Sequence, residues 1–330
     1  MGFNTLGIKL GVLNTSIVST NLGDEVIMNS AQQELVELFP LAQKVQFPTH
    51  ERLTRVGFKR QREVSVNFLC GTNCLNSHML FKRQWNVGFV NTFLMAPTVA
   101  LGVGWGSYEG DPDIYTRSLL KRMLSDSHLH SVRDSYTESK LRACGIGNVI
   151  NTGCPTLWRL TPSSLSLISS KKGKDVVFTL TDYRPNREAD AVMISVLQHL
   201  YRKVYFWIQG SKDFEYYQLL PIEHSVIEVI SPSIDSITQL FSLNPELDYV
   251  GTRLHGGVLA LQHHKRSIII GVDNRAKEKQ KDFGLPVIFR PEVATELDNY
   301  KRALIDRVEM PLEVSLRIPF ENISTWKSQF

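Results

Sequence analysis

Residues 247–264 read LDYVGTRLHGGVLALQHH. The apolar run LDYV leads into a stretch that holds a full positive charge, Arg253, an imidazole, His255, and two glycines; VLALQHH then has helical character. The segment reads as a buried strand passing into a helix, and such a passage is where an open α/β sheet receives its ligand. On an extended segment residues i and i+2 point the same way, so Arg253 and His255 are expected to share a face, with Leu254 turned to the core. Gly256 and Gly257 are expected to open the helix and to let the backbone approach a ligand. A helix N-terminus offers N–H groups to an anion, and arginine adds a planar donor fork that matches carboxylate or phosphate. The spacing alone leaves two readings: an anion clamp beside a titratable group, or a structural ion pair beside a hydrogen-bonded core histidine.

Outward from this stretch, short apolar runs alternate with helix-length amphipathic segments. Strands are expected at 8–13, 44–47, 64–70, 98–104, 128–133 and 148–153, with helices near 24–38, 113–125 and 134–143. After the polar stretch TPSSLSLISSKKGKD (161–175), strands are expected at 176–180, 203–209, 225–230, 248–252, 267–272 and 286–289, with helices over 187–202, 234–243, 256–264 and 292–308. Such alternation implies parallel sheets covered by helices. The expected fold is α/β, with two Rossmann-like doubly wound domains facing a cleft. Residues 1–160 form the first domain, 161–175 a linker and 176–310 the second domain, and 311–330 supply a terminal helix that packs back on the first.

The 330 residues are 42% hydrophobic and 21% charged, which suits two globular cores. A net charge of +4 is too mild for a nucleic-acid binder and favours small anions or an anionic membrane face. Four cysteines without a C-x-x-C pair read as thiols in a reducing compartment. The N-terminus lacks a signal-peptide pattern, and Leu6 stands where myristoylation needs Ser or Thr. No window reaches about 18 consecutive apolar residues. A cytoplasmic protein is expected, with peripheral contact at the inner membrane face an option. No carboxylate or histidine cluster has metal-ligand spacing, so no metal is expected.

Other strand ends carry candidates. GVDNRAKEK (271–279) sets Asp273, Asn274, Arg275 and Lys277 on the same rim, where Asp273 doubles as a helix cap. NLGDEVI (21–27) places Asn21, Gly23 and Asp24 at a helix entrance. CGTN (70–73) offers Thr72 and Asn73, and GVGWGS (102–107) offers Trp105, whose ring is either a sugar-stacking platform or core. Neither glycine-rich stretch is a dinucleotide fingerprint or a P-loop.

Taken together, NLGDEVI, SVRDSYTESKLRACGI (131–146), GCPTL (153–157) and above all GTRLHGGVLALQHHKRSIIIGVDNRAKEKQKDFGLP (251–286) resemble the polysaccharide pyruvyl transferase family. The resemblance implies two Rossmann-like domains arranged as in B-type glycosyltransferases. It implies transfer of pyruvate from phosphoenolpyruvate, as co-substrate and with no other cofactor, to a sugar as a ketal. The acceptor would be a polysaccharide unit or its lipid-linked precursor. By that resemblance Arg253 and His255 act on phosphoenolpyruvate, with Gly256, Gly257, Asn274, Lys277 and Arg184 (from TLTDYRPN) binding it. From their place at first-domain strand ends facing the same cleft, Asn21, Gly23, Asp24, Thr72, Asn73 and Trp105 are expected on the acceptor-sugar side. The chemistry needs cations for a carboxylate and a phosphate, and a general acid to protonate the methylene carbon, for which His255 is suited. Alternative readings are a nucleotide-sugar glycosyltransferase and a non-catalytic sugar-binding subunit.

Overall fold

The computed structural model describes residues 7–330; residues 1–6, which include Gly2 and Leu6 of the N-terminal reading, lie outside the described residues. The chain divides into two compact units. Unit 1 takes the chain up to Ser19, Ile27–Trp158 and Ile318–Phe330; unit 2 takes Thr20–Val26 and Arg159–Arg317.

In chain order the first half runs β1 (Lys9–Asn14), α1 (Leu22–Leu38), β2 (Gln43–Pro48), α2 (Arg55–Gln61), β3 (Val66–Cys70), α3 (Asn91–Leu94), β4 (Thr98–Leu101), α4 (Ile114–Met123), β5 (His130–Val132), α5 (Ser135–Ala143) and β6 (Val149–Asn151). The second half runs α6 (Pro162–Leu165), β7 (Asp175–Thr179), α7 (Arg187–Leu200), β8 (Lys203–Trp207), α8 (Asp213–Gln218), β9 (Ile227–Ile230), α9 (Ile234–Leu243), β10 (Leu247–Gly251), α10 (Leu254–Gln262), β11 (Ser267–Gly271), α11 (Asn274–Phe283), β12 (Val287–Phe289) and α12 (Leu297–Glu309), before α13 (Phe320–Lys327).

Unit 1 holds a parallel sheet of order β2-β1-β3-β4 and a parallel pair β5-β6. Gly102 N–H donates to Ser131 O (3.0 Å) and Arg133 N–H to Val103 O (3.0 Å), so β5 runs beside the continuation of β4. Unit 2 holds a six-stranded parallel sheet of order β12-β11-β10-β7-β8-β9. Renumbered within the unit, that is 3-2-1-4-5-6, the Rossmann order, which reverses direction between its first and fourth strands. Here those strands are β7 and β10. Strands β7, β10 and β11 are buried along their whole length, as central parallel strands covered on both faces are. The fold is therefore α/β with two Rossmann-like units.

The borders differ from those expected. Residues 161–175 lie wholly in unit 2, where Thr161 caps α6 and Leu165 is buried. Residues 20–26 also belong to unit 2: Leu22 N–H donates to Gln209 O (3.0 Å), Ser211 N–H to Thr20 O (3.1 Å), and Asn21 bridges Gly210. Helix α13 belongs to unit 1, where buried Trp326 stacks edge-on with Phe68, Trp158 and Phe330.

Within unit 1, His130 is a core histidine. Its Nδ1 must accept the N–H of Ala100 (3.2 Å), so its Nε2–H donates to Ser125 O (2.8 Å). The neutral ring satisfies both contacts, whereas protonation would set two donors against each other. Burial, against the pull of the Ser125 carbonyl, lowers the pKa to about 4. With the folded pKa depressed, the contribution is complete above the unfolded value near 6.5 and is lost as pH falls toward 4. The loss approaches about 3 kcal/mol. Urea titrations across that window should show stability falling toward acid, with a shallower slope in His130→Gln.

Candidate functional site

The deciding stretch lies at the switch point of unit 2, between the ends of β7 and β10. Its backbone is locked to β7. Arg253 N–H donates to Thr179 Oγ1 (3.2 Å), the Thr252 and Thr181 hydroxyls meet at 2.9 Å, and Tyr249 Oη–H donates to Arg253 O (2.7 Å). Arg253 O also accepts the N–H of Gly257 (3.2 Å), so α10 begins at Leu254, two residues earlier than expected. Arg253 is the extended N-cap and His255 already belongs to the first helical turn; both are buried. The pair therefore does not share one face of an extended segment. The Cα faces of Gly256 and Gly257 lie against protein. A Cβ on Gly256 would lie 2.8 Å from Tyr249 Oη, and one on Gly257 2.5 Å from Ile269 Cγ1. Both glycines let α10 lie close against β10 and β11.

Arg253 spends its fork on protein carboxylates. Nε donates to Leu180 O (2.8 Å) and to Asp213 Oδ2 (3.1 Å), while Nη2 donates to Asp213 Oδ1 and to Asp182 Oδ1 (2.8 Å). Asp213 is fully buried and also accepts N–H bonds from Gly210 (2.7 Å), Gln209 (3.3 Å) and Asp182 (3.2 Å). Burial raises the Asp213 carboxyl above its ordinary range, against the lowering pull of Arg253. Any side chain at Gly210 would overlap Arg253 Nη2, so the guanidinium lies directly over that glycine.

A second arginine joins through Tyr183. The half-exposed Tyr183 ring has the Arg253 guanidinium carbon 5.1 Å and the Arg275 guanidinium carbon 5.8 Å from its centroid, both within cation–π range. Arg275 donates from Nε to Asp273 Oδ2 (2.9 Å) and from Nη2 to the Tyr183 hydroxyl. Burial opposes its charge, but Asp273 and Tyr183 outweigh burial and hold the guanidinium above its ordinary pKa. Asp273 is the N-cap of α11, bonded to the N–H of Arg275 (3.0 Å). Asn274 opens α11, half-buried, with Lys277 exposed one turn on; Arg184 is exposed in the loop after β7. Among the described residues, neither Lys277 nor Arg184 has a carboxylate within ion-pair distance.

The remaining residues separate. Asn21, Gly23 and Asp24 lie in unit 2 beside Gly210, where Asn21 Oδ1 accepts the N–H of Gly23 (3.1 Å). Thr72 and Asn73 lie in unit 1, in the loop after β3. Thr72 O accepts the N–H of Gly104 (2.8 Å) and Asn73 Nδ2 donates to Gly106 O (3.3 Å), so the two loops of unit 1 are knitted together. Trp105 is no platform for a sugar: it is 1% exposed, and its backbone N–H donates to Thr137 Oγ1 (2.9 Å) inside the unit 1 core. Asp182, Tyr183 and Asp213 were missed by sequence reasoning. The available signal was their position, just after runs read as strands.

The profile of the polysaccharide pyruvyl transferase family matches residues 21–274, from the Asn21 turn to the first residue of α11. The chain belongs to that family. Among curated proteins none matches. Among solved structures, a putative UDP-N-acetylglucosamine 2-epimerase from Listeria monocytogenes is 10% identical. It covers 92% of this chain and 88% of its own, with a TM-score of 0.47. The lipopolysaccharide outer core galactosyltransferase WaaB is 10% identical over 91% and 90%, with a TM-score of 0.48. Anabaena Alr3699/HepE, in complex with UDP and glucose, is 11% identical over 98% and 95%, with a TM-score of 0.45.

Arg253→Met would leave Asp213 as a buried, uncompensated charge. The expected loss is about 3–5 kcal/mol in urea unfolding. Asp182→Asn, at the partly exposed end of the same cluster, should cost under about 1 kcal/mol. Equal costs for the two variants would remove the buried pair from its structural role.

Proposed function

We propose that this pyruvyl transferase takes its pyruvyl group from phosphoenolpyruvate and sets it as a ketal across two hydroxyls of a sugar. The sugar belongs to a polysaccharide or its lipid-linked precursor, and the reaction takes place in the cytoplasm. The observation that carries the reading is that the family match ends on the rim where α10 and α11 begin, with Arg253 and His255 at the switch point and Arg275 at the start of α11 beside it. His255 protonates the methylene carbon of phosphoenolpyruvate. One sugar hydroxyl adds to the neighbouring carbon and loses its proton; the C–O bond to phosphate breaks and inorganic phosphate leaves. The second hydroxyl then closes the ketal and gives up its proton.

The donor's carboxylate and phosphate are held by the two exposed cations, Arg184 and Lys277, with Asn274 between them in function. Arg253 acts as a positioning residue, because its donors fix Asp182, and Tyr183 packs against its guanidinium. The Asn21–Asp24 turn, packed beside Gly210, belongs to the donor side in this reading. Thr72 and Asn73 contact the acceptor.

Incubation with phosphoenolpyruvate and a panel of hexosides should release inorganic phosphate and form a pyruvate ketal. Release of nucleoside diphosphate from a sugar nucleotide instead would replace the reading with glycosyl transfer. His255→Gln is expected to bind phosphoenolpyruvate by calorimetry yet turn over at least about 100-fold more slowly. Turnover within about tenfold of wild type, or abolished donor binding, would end the proton-donor role.

A further inference from the structure

The basic charge of this chain is not spread evenly. Residues 50–95 hold seven Lys or Arg against two Glu, a net of +5, while the remaining 284 residues hold 30 basic against 31 acidic side chains, a net of −1. The whole positive excess of the molecule therefore belongs to one stretch of unit 1.

Within it, Arg55, Lys59 and Arg62 recur at spacings of four and three through α2 and its C-cap, which sets them along one side of the helix, and Arg52 lies just before its N-cap Thr54. All four are exposed, and among the described residues none has a carboxylate within ion-pair distance; Arg60, by contrast, is paired with Glu63 (2.8 Å). Arg83, also exposed, donates only to Leu80 O (3.1 Å).

The same stretch exposes large apolar side chains. Phe81 is 82% and Phe93 75% exposed, the two most exposed aromatic residues among those described; Val56, Leu80 and Val90 are exposed as well. The Arg122 guanidinium lies 5.9 Å from the Phe93 ring centroid, adding a further cation to the rim. The basic and apolar segments are neighbours in the fold. His50 Nδ1 lies 2.7 Å from Gln84 O, Asn86 N–H donates to Thr49 O (2.7 Å), and Ala96 N–H donates to Gln61 Oε1 (3.4 Å). These bonds fasten the 80–96 segment beside the α2 segment.

We propose that this surface docks unit 1 on an anionic lipid bilayer, with Phe81 and Phe93 entering the headgroup boundary and the α2 cations meeting lipid phosphates. Unpaired Lys and Arg beside solvent-facing phenylalanines match a surface that is negatively charged outside and apolar just beneath. A soluble anion would use the cations and leave the aromatics idle. The surface is argued from its own residues, so it holds or fails independently of the phosphoenolpyruvate chemistry.

The test is co-sedimentation of the full chain with vesicles of phosphatidylcholine alone and of phosphatidylcholine mixed equally with phosphatidylglycerol. Wild type is expected to sediment with the mixed vesicles and to remain in solution with phosphatidylcholine. Both Arg55→Glu/Lys59→Glu/Arg62→Glu and Phe81→Ser/Phe93→Ser should weaken that binding by about tenfold or more. Circular dichroism and turnover on a soluble acceptor should stay at wild-type level, since none of these residues belongs to the donor or acceptor machinery. Absence of wild-type binding, equal binding to both vesicle types, or wild-type affinity in the phenylalanine variant would overturn the proposal. So would gel filtration showing that the phenylalanine variant turns a dimer into a monomer while vesicle binding is unchanged, which would make the surface a contact between copies.

Discussion

A single buried ion pair ties together the loops on which the candidate site depends. Asp213 has no exposed surface, and Arg253 almost none. Either charge alone in that position would be strongly destabilising, so neither can be left without the other. Asp213 gathers N–H groups from the loop after β7 and the loop after β8, while Arg253 arrives from the end of β10. Three strand ends that are distant in sequence are thereby fixed against one carboxylate. Gly210 is the steric condition for this arrangement, because its missing side chain is the space in which the guanidinium lies. The Asn21 turn then closes over the same glycine, which explains why a segment from the start of the chain belongs to unit 2.

The strands were legible because burial on both faces of a parallel sheet writes itself as short apolar runs, and each expected strand is found within three residues of its place at either end. Short helices such as α2, α3 and α8 were not, since one or two turns carry too little periodicity to stand out. The site was half legible. Arg253 and His255 stand where a strand gives way to a helix, a local pattern that a sequence displays. What Arg253 touches is not local: Asp213 is 40 residues away and Asp182 71, and no spacing rule links them. Trp105 shows the same limit from the other side. An aromatic among glycines at a strand end suits a sugar platform, yet an isolated bridge from Leu75 draws it into the core of unit 1. Gly256 and Gly257 likewise signal a close approach in sequence, but not what approaches; the answer is β10 and β11.

The capping pattern of unit 2 shows what this ion pair displaces. Helices α7, α9 and α11 each begin with a side-chain cap, from Asn186, Ser233 and Asp273. Helix α10 begins with Arg253, which makes no capping bond. A missing cap costs typically about 1 kcal/mol, and serine or aspartate there would recover it. Either would also remove the partner of Asp213. The position therefore has two incompatible demands, and the buried charge is the larger. The same choice leaves α10 without a capping side chain at the switch point, while the carboxylates of Asp182 and Asp213 sit on the guanidinium itself, in a fold that binds ligands at such points. An acidic side chain at residue 253 would add a third carboxylate to Asp182 and Asp213, whereas the arginine offsets the charge that those two bring. The residue that holds the three strand ends together is thus also the one that offsets the two carboxylates at the start of α10.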